Sequence, residues 1–458
     1  MGKKVEIVIP RAAQWIIHNL EVDHGHKAYV VGGCVRDSLL GKPPHDWDIC
    51  TSAKPEQVRT YLELCGEKVI DTGIKHGTVT AIMDEDGNYE ITTFRVDGKY
   101  SDSRHPDTVE FVDDIVADLS RRDFTINAMA YNDEEGLIDP FDGAKDLKKG
   151  RIRCVGDPNE RFREDPLRIL RAMRFSSTYA FKIERETAKA MQKNRELLNF
   201  VSGERIRDEL CKMLCGENIL EVLLTYHDIM AEIIPGLYKC IGFLQNNPYH
   251  KFDVYAHIAH AVAAYKGYDI SVKFALLLHD VGKPYVYTED ENGRGHFYGH
   301  PKMSHRIAKE EILDWLKFDN RTRDNILELV LYHDAELKPS RRIIRRLLSK
   351  HGPDIVRQLI QVRRADILAQ TGKSHDDRLV GMDEFERLVE EIIADQECFK
   401  IKDLVIDGRD ILSFGVSGPI VGQTLNHLLE NVIDENVSND RISLMLAAKH
   451  YLKGVGCL

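Results

Sequence analysis

The stretch YVVGGCVRDSLLGKPPHDWDI, Tyr29 to Ile49, sets the fold of the first part of the chain. A β-branched run breaks at Gly32-Gly33 and continues as Val35 to Leu40. It turns at Gly41 to Pro44 and closes on Asp46-Trp47-Asp48. This pattern predicts strand, glycine turn, short helix, turn and strand. Two chemical devices sit on that frame. The paired glycines lack Cβ atoms, so backbone N–H groups can approach an anion at the start of the following helix. Asp46 and Asp48 are two residues apart, which on a strand points both carboxylates to one face, roughly 7 Å apart along the chain. Such a pair can hold the divalent metals that bridge a triphosphate. Each device alone is common; their combination on one strand–helix–strand unit is specific.

The chain has 458 residues, enough for about three domains. Apolar content of 43% and charged content of 30% exclude a disordered or membrane-embedded protein. No apolar run approaches the ~20 residues that span a bilayer, and the N-terminus has no signal-peptide pattern. The nine cysteines, Cys34, Cys50, Cys65, Cys154, Cys211, Cys215, Cys240, Cys398 and Cys457, are scattered and form no C-x-x-C. They read as reduced thiols of a cytoplasmic protein. The net charge of −11 argues against a non-specific nucleic-acid binder, but its distribution matters more. Seven arginines fall between Arg151 and Arg174, and a second cluster, Arg341, Arg342, Arg345 and Arg346, lies in RRIIRRLLSK. A solvated helix face is the alternative reading of both.

Up to about residue 150 the pattern is mixed α/β. A helix starts at Thr51-Ser52, Lys68 to Ile82 is strand-like, and Asp86-Gly87-Asn88 signals a hairpin before Tyr89 to Arg95. Val96 to Thr108 reads as a polar loop, and a helix is expected from Ser120. From Asp157 onward the pattern is nearly all helical, with separate helices at Arg341–Leu348 and Asp354–Ala369.

Three further stretches carry chemistry. In LSRRDFTINAMAYN (Leu119–Asn132), Ser120 and Asp123 form a capping box. Asp123 and Asn127 are also i and i+4 on that expected helix, beside Arg121, where they could bind a ribose hydroxyl and a phosphate. In REDPLRILRAMRF (Arg163–Phe175), Asp165 and Arg168 are either an ordinary i,i+3 ion pair or a donor–acceptor pair for a base edge. Arg171 and Arg174 continue that helix toward a triphosphate. In SGERIRDELCKML (Ser202–Leu214), Glu204, Arg207 and Asp208 brace the neighbouring helices.

VVGGCVRD with DWDI, RRDFTINAMA, DPFDGAKDLKKGRIRCVGDP, EDPLRILRAMRF and ERIRDELCKML follow in order. The head unit resembles the polymerase-β-like nucleotidyltransferases, and the series resembles the class II tRNA nucleotidyltransferase and bacterial poly(A) polymerase family. That resemblance implies an α+β protein, with a polymerase-β-like head (1–150) followed by an all-helical neck (151–245), an HD body (246–370) and a tail (371–458). It implies CTP and ATP as substrates and the tRNA 3′ end as partner, with no membrane and no DNA. By the same resemblance Gly32, Gly33 and Arg36 would hold the triphosphate, and Asp46 and Asp48 would bind Mg²⁺ as catalytic groups. Asp123, Asn127 and Arg121 would meet the sugar, Asp165 and Arg168 would act as a protein template, and Arg171 and Arg174 would meet phosphates. Glu90 is a candidate third acid, or a solvent-facing strand residue. The tail and the neck would reach the RNA.

His257, His279-Asp280 in ALLLHDVGKP, His300, His333 and Asp366 resemble the ordered ligands of an HD domain, with His305 an alternative ligand. Such a set implies one or two divalent metals of the Mn, Ni, Fe or Zn kind. The function implied is template-independent addition of C, C and A to tRNA by two-metal transfer. Alternatives within the family are an A-adding enzyme, a CC-adding enzyme or a poly(A) polymerase. Alternatives of other classes are an HD-type metal-dependent phosphohydrolase and a non-catalytic RNA-binding protein.

Overall fold

The computed structural model describes residues 6–83, 87–98, 108–247, 251–370 and 375–458. The hairpin residue Asp86 and most of the polar loop lie outside these residues. The chain divides into two compact units, Met1–Pro235 and Gly236–Leu458, and among the described residues no helix is long and apolar enough to cross a membrane.

The first unit is organised on Tyr29–Ile49 as expected. Strand β1 (Ala28–Val31) ends at Gly32, a helix runs Gly33–Leu39, and β2 (Ile49–Thr51) returns antiparallel with Val30 opposite Ile49. Around this pair the chain adds β3 (Lys68–Gly73), β4 (Thr78–Met83) and β5 (Gly87–Thr93). The strand-like run 68–82 is therefore a hairpin broken by a short 3₁₀ turn at Ile74–His76. A separate ribbon pairs β6 (Arg95–Asp97) with β7 (Val109–Phe111). Strands β8 (Ala130–Asn132) and β9 (Gly136–Ile138) complete a seven-stranded sheet of order β3-β4-β5-β2-β1-β8-β9. Only β2 and β5 pair in parallel there, with Ile49 opposite Ile91. Tyr29, Val31, Cys50, Phe94, Ile115, Leu119 and Ala130 pack into one core on this sheet. That core holds β2, and the acid pair stands just before it.

The helix expected from Ser120 is not there. A helix ends at that residue: it spans Ile115–Ser120, and its true N-cap is Asp114, whose carboxylate accepts the Val116 N–H at 2.9 Å. After it, Arg121 to Phe124 turn, and Thr125–Asn127 make a single 3₁₀ turn before β8. The local capping signal at Ser120 lost to burial of Phe124, Ile126 and Met129.

Beyond the head the unit is helical apart from the two-residue pair Arg151–Ile152 and Lys182–Ile183. Helix Leu167–Tyr179 packs along Gly203–Leu214 and carries the arginine row.

The second unit gathers the helices Val254–Ala264, Ile270–Leu278, His300–Ile307, Asn320–Tyr332 and Arg341–Ala369. The last is two helices, as the two segments predict, meeting at a kink where Gly352 takes φ 78°, ψ 163° ahead of Pro353. The end of the chain has its own core of Ile406, Ile411, Leu428, Leu444, Ala448 and Leu452. The second arginine cluster is taken up in joining elements: Arg342 and Arg346 both grip Asp434, at 3.0 and 2.7 Å, and Arg345 pairs with Glu435 and Glu397.

Candidate active site and metal cluster

Asp46 and Asp48 stand on the extended approach to β2, not on the strand itself. The ladder reaches Asp48 through its carbonyl, which accepts the Val31 N–H at 2.9 Å. Because β2 and β5 pair in parallel, Asp48 and Glu90 occupy neighbouring positions one residue before the Ile49–Ile91 pair. Both line a pocket of about 240 Å³ together with Arg95, Arg121 and Arg122. Burial pushes the Asp48 carboxyl up, and the charges of Glu90 and Asp46 add to that while Arg122 opposes it. An acid in this condition has like charge that a dication would relieve, so hard oxygen donors and electrostatics both fit a divalent metal.

Gly32 works differently from a simple anion cradle. Its N–H is turned inward and donates to the Met129 carbonyl at 3.1 Å. Its φ of 81° and ψ of −120° favour glycine. A Cβ there would stand 2.9 Å from Arg122 Nη1. The bare glycine admits an arginine head beside the acid pocket. Sequence reasoning named Arg121 and missed Arg122, since adjacent residues on the helix expected there would point apart, whereas in the turn that forms both line the pocket.

Asp123 and Asn127 do meet, although no helix joins them. Asn127 Nδ2 donates to Asp123 Oδ1 at 3.1 Å, and its own Oδ1 accepts from Arg36 Nη1 at 2.6 Å. Asp123 also accepts the Phe124 N–H at 2.7 Å and pairs with Arg171 at 2.7 Å. Burial alone would raise its carboxyl; the Arg171 charge and these hydrogen bonds win and hold it down at about 2. Arg36 pairs with Asp37 at 2.8 Å and lies over the Phe175 and Tyr179 rings. Arg171 and Arg174 share Glu209, at 3.7 and 3.1 Å. The network thus ties the glycine-turn helix, the 3₁₀ turn and the arginine helix into one charged wall.

The structure gives the Asp165 and Arg168 side chains different partners, although the Arg168 N–H donates to the Asp165 carbonyl at 3.1 Å. Asp165 lies at the break between helices Pro158–Glu164 and Leu167–Tyr179, where its Oδ1 accepts the Leu167 N–H at 3.1 Å and its Oδ2 takes Arg205 at 2.8 Å. Arg168 instead pairs with Glu164 at 2.7 Å and donates to the Arg161 and Arg121 carbonyls. The intrahelical ion pair considered from spacing does not form. Glu164, Arg205 and Glu209 are partners that spacing did not single out.

In the second unit His257, His279, Asp280, His300, His333 and Asp366 come together from five helices and are all buried. Two ligand groups meet at Asp280: His257 with His279, and His300 with His333. His257 Nε2 is 3.0 Å from Asp366, and His300 Nε2 is 3.3 Å from Asp280 Oδ1. His305 belongs to neither group. The Nδ1 atoms of His279, His300 and His333 lie 2.7, 2.9 and 2.7 Å from the carbonyls of Leu276, Phe297 and Val330. A carbonyl only accepts, so Nδ1 carries the proton and Nε2 presents a lone pair. His300 Nε2 and His333 Nε2 then face each other at 3.1 Å. Burial and the neighbouring rings push His333 well down, so it stays neutral. Two lone pairs at that distance would repel unless a cation lay between them, and the nitrogen–carboxylate set fits a first-row divalent metal. Lys283, three residues after Asp280, reaches Asp280 Oδ2 at 2.6 Å and was not singled out in the sequence. Lys283, Arg363 and Arg378 line the adjoining cavity of about 550 Å³.

Comparison with known proteins follows the same division. Residues 28–153 match the model of the poly(A) polymerase head domain, residues 180–240 that of the probable RNA- and SrmB-binding site of polymerase A, and residues 248–371 that of the HD domain. The head is therefore that of a nucleotidyltransferase. The chain is 35% identical over 436 residues to the CCA-adding enzyme of Ligilactobacillus salivarius, covering 94% of each. It is 34% identical over 449 residues to that of Pediococcus pentosaceus, covering 96% of this chain and 98% of the relative. It belongs to the family of CCA-adding enzymes, which are divalent-metal-dependent nucleotidyltransferases. Among solved structures it superposes on the Bacillus stearothermophilus CCA-adding enzyme in complex with CTP, with a TM-score of 0.72, 28% identity and 97% of each chain covered. The fold is also that of the Thermotoga maritima CCA-adding enzyme complexed with tRNA, at a TM-score of 0.61 and 21% identity, covering 98% and 97%.

Proposed function

We propose that the protein adds C, C and A to the 3′ end of tRNA in the cytoplasm, using CTP and ATP and no nucleic-acid template. The observation that supports this best is the acid–arginine pocket of the head, set in a chain that aligns along nearly its whole length with CCA-adding enzymes. Asp46 and Asp48, with Glu90 beside them, would hold Mg²⁺. Bound there, the metal lowers the pKa of the primer hydroxyl and balances charge on the pyrophosphate. Arg36 and Arg121, with Gly33, would face the triphosphate, and Asp123 and Asn127 the sugar, while Gly32 makes room for Arg122. Arg171 and Arg174 add positive charge for phosphates.

Base choice follows from elementary chemistry. Cytosine and adenine both present an exocyclic amine beside an unprotonated ring nitrogen, whereas uracil and guanine present a carbonyl beside a ring N–H. A carboxylate acceptor next to a guanidinium donor, Asp165 and Arg168, accepts the first pattern and rejects the second. Arg205 and Glu164 hold these two groups in place before any nucleotide arrives.

The test is incubation with tRNA lacking its 3′ nucleotides and each labelled nucleotide in turn. Incorporation of both CTP and ATP, stopping after one A, is expected; A alone, C alone or a long A tract would assign an A-adding, CC-adding or poly(A)-forming enzyme. The variant Asp48→Ala should abolish incorporation and spare tRNA binding, and normal turnover would refute the proposal.

The facing Nε2 lone pairs favour a second reading: the HD cluster holds Mn, Ni, Fe or Zn and hydrolyses a phosphate ester. Phosphate release that survives Asp48→Ala and disappears with Asp280→Ala is the result expected; release that survives both rejects it.

A further inference from the structure

Asp118 lies outside every stretch singled out for chemistry, yet it is completely buried. A buried carboxylate is costly unless it is paired. Its Oδ1 accepts from Arg121 Nε at 3.0 Å, from Arg121 Nη2 at 2.8 Å and from the Arg95 backbone N–H at 3.3 Å. Its Oδ2 faces Arg122 Nη2 at 3.6 Å. The carboxylate belongs to the short helix Ile115–Ser120, whose first turn includes Asp118. Both arginines it holds line the pocket of Asp48 and Glu90, and Arg122 fills the space left by the missing Cβ of Gly32.

We infer that Asp118 is a positioning residue for nucleotidyl transfer, fixing the Arg121 and Arg122 guanidinium groups in the acid-lined pocket before the nucleotide triphosphate binds. Two adjacent arginines repel, and each has several rotatable bonds to immobilise. One carboxylate between them offsets the repulsion and removes most of that freedom, so the triphosphate meets donors already in place. Asp97, 3.1 Å from Arg95 and 3.5 Å from Arg121, supports the same set from β6. The inference rests on the nucleotidyl-transfer reading of this pocket.

The experiment compares Asp118→Asn, the pair Arg121→Gln/Arg122→Gln and the triple variant, measuring CTP incorporation and, separately, CTP binding by equilibrium dialysis. By analogy with partners that orient metal ligands, Asp118→Asn should lower kcat/KM for CTP by about 10- to 100-fold, mainly through KM, and weaken binding in parallel. The triple variant should lose no more than the arginine pair, because the acid acts through those side chains. Unchanged KM and binding in Asp118→Asn, or losses that multiply in the triple variant as for an independent structural role, would overturn the inference. Should Asp118→Asn not fold, Arg121→Lys keeps the charge but loses the two-nitrogen grip; it should raise KM for CTP, and an unchanged KM overturns the inference equally. Asp48→Ala is run alongside. Full activity there removes the reading of the pocket itself, whereas an inactive Asp48→Ala beside an unaffected Asp118→Asn overturns the role of Asp118 alone.

Discussion

Replacing Asp123 by Asn tests whether the charged wall stabilises the first unit as its geometry requires. The carboxyl is held at about 2 against an ordinary 3.8. That gap, at ~1.4 kcal/mol per pH unit, makes the ionised group worth roughly 2 kcal/mol to folding. The sign follows from the direction. A depressed carboxyl stabilises fully above its unfolded value, and the contribution fades as pH falls from about 4 to about 2. Asn keeps an oxygen for the Phe124 N–H but leaves Arg171 without its nearest anion, with only Glu209 at 3.7 Å in reserve. Breaking a buried pair costs about 3–5 kcal/mol, and the remaining Glu209 places this variant near the lower end, about 3 kcal/mol. Trp15 and Trp47 lie in the first unit and Trp315 in the second. In a Trp315→Phe background, urea unfolding followed by tryptophan fluorescence therefore reports the first unit. The variant should unfold at lower urea at pH 7, and its deficit should narrow as pH is lowered toward 3. Equal midpoints at pH 7, or a deficit independent of pH, would refute the electrostatic account of this network.

Gly32→Ala combines an unfavourable φ with a contact of 2.9 Å to Arg122. A guanidinium displaced by about 1 Å should reduce kcat/KM for both CTP and ATP by ~10²-fold with tRNA binding retained; wild-type kinetics would show that Arg122 yields without consequence. In the second unit, Asp280→Asn removes the carboxylate shared by both histidine pairs. Elemental analysis of the purified variant should show less bound transition metal than wild type while CTP incorporation is unchanged, and equal metal content would refute the shared-ligand assignment.

The glycine-turn unit was legible because its punctuation is local: Gly32, Gly41 and Pro44 bound elements too short to be arranged otherwise. The buried His/Asp cluster of the second unit was legible because each of its segments presents chemistry that an apolar face does not need. Two features were hidden for a common reason. Ser120 to Asp123 satisfies a capping rule over four residues, but the helix that forms there is capped by Asp114, and Ala130–Asn132 is drawn into the sheet beside β1. Asp165 and Arg168 have helical spacing, but Pro166 and a helix break lie between them, so each finds another partner. Arg122 beside Gly32 and Arg205 on Asp165 make contacts spanning tens of residues, which no local pattern encodes. Where propensity and tertiary burial disagreed, burial prevailed.

Three of the four histidines in the buried His/Asp cluster are aimed by main-chain carbonyls three residues earlier. A side-chain acceptor in that place would be open to substitution; a peptide oxygen is supplied by every residue type. The direction of these rings is therefore insulated from mutational drift in everything around them. Erosion of this centre would begin with replacement of a ligand itself, and a chain that keeps its histidines keeps their orientation as well.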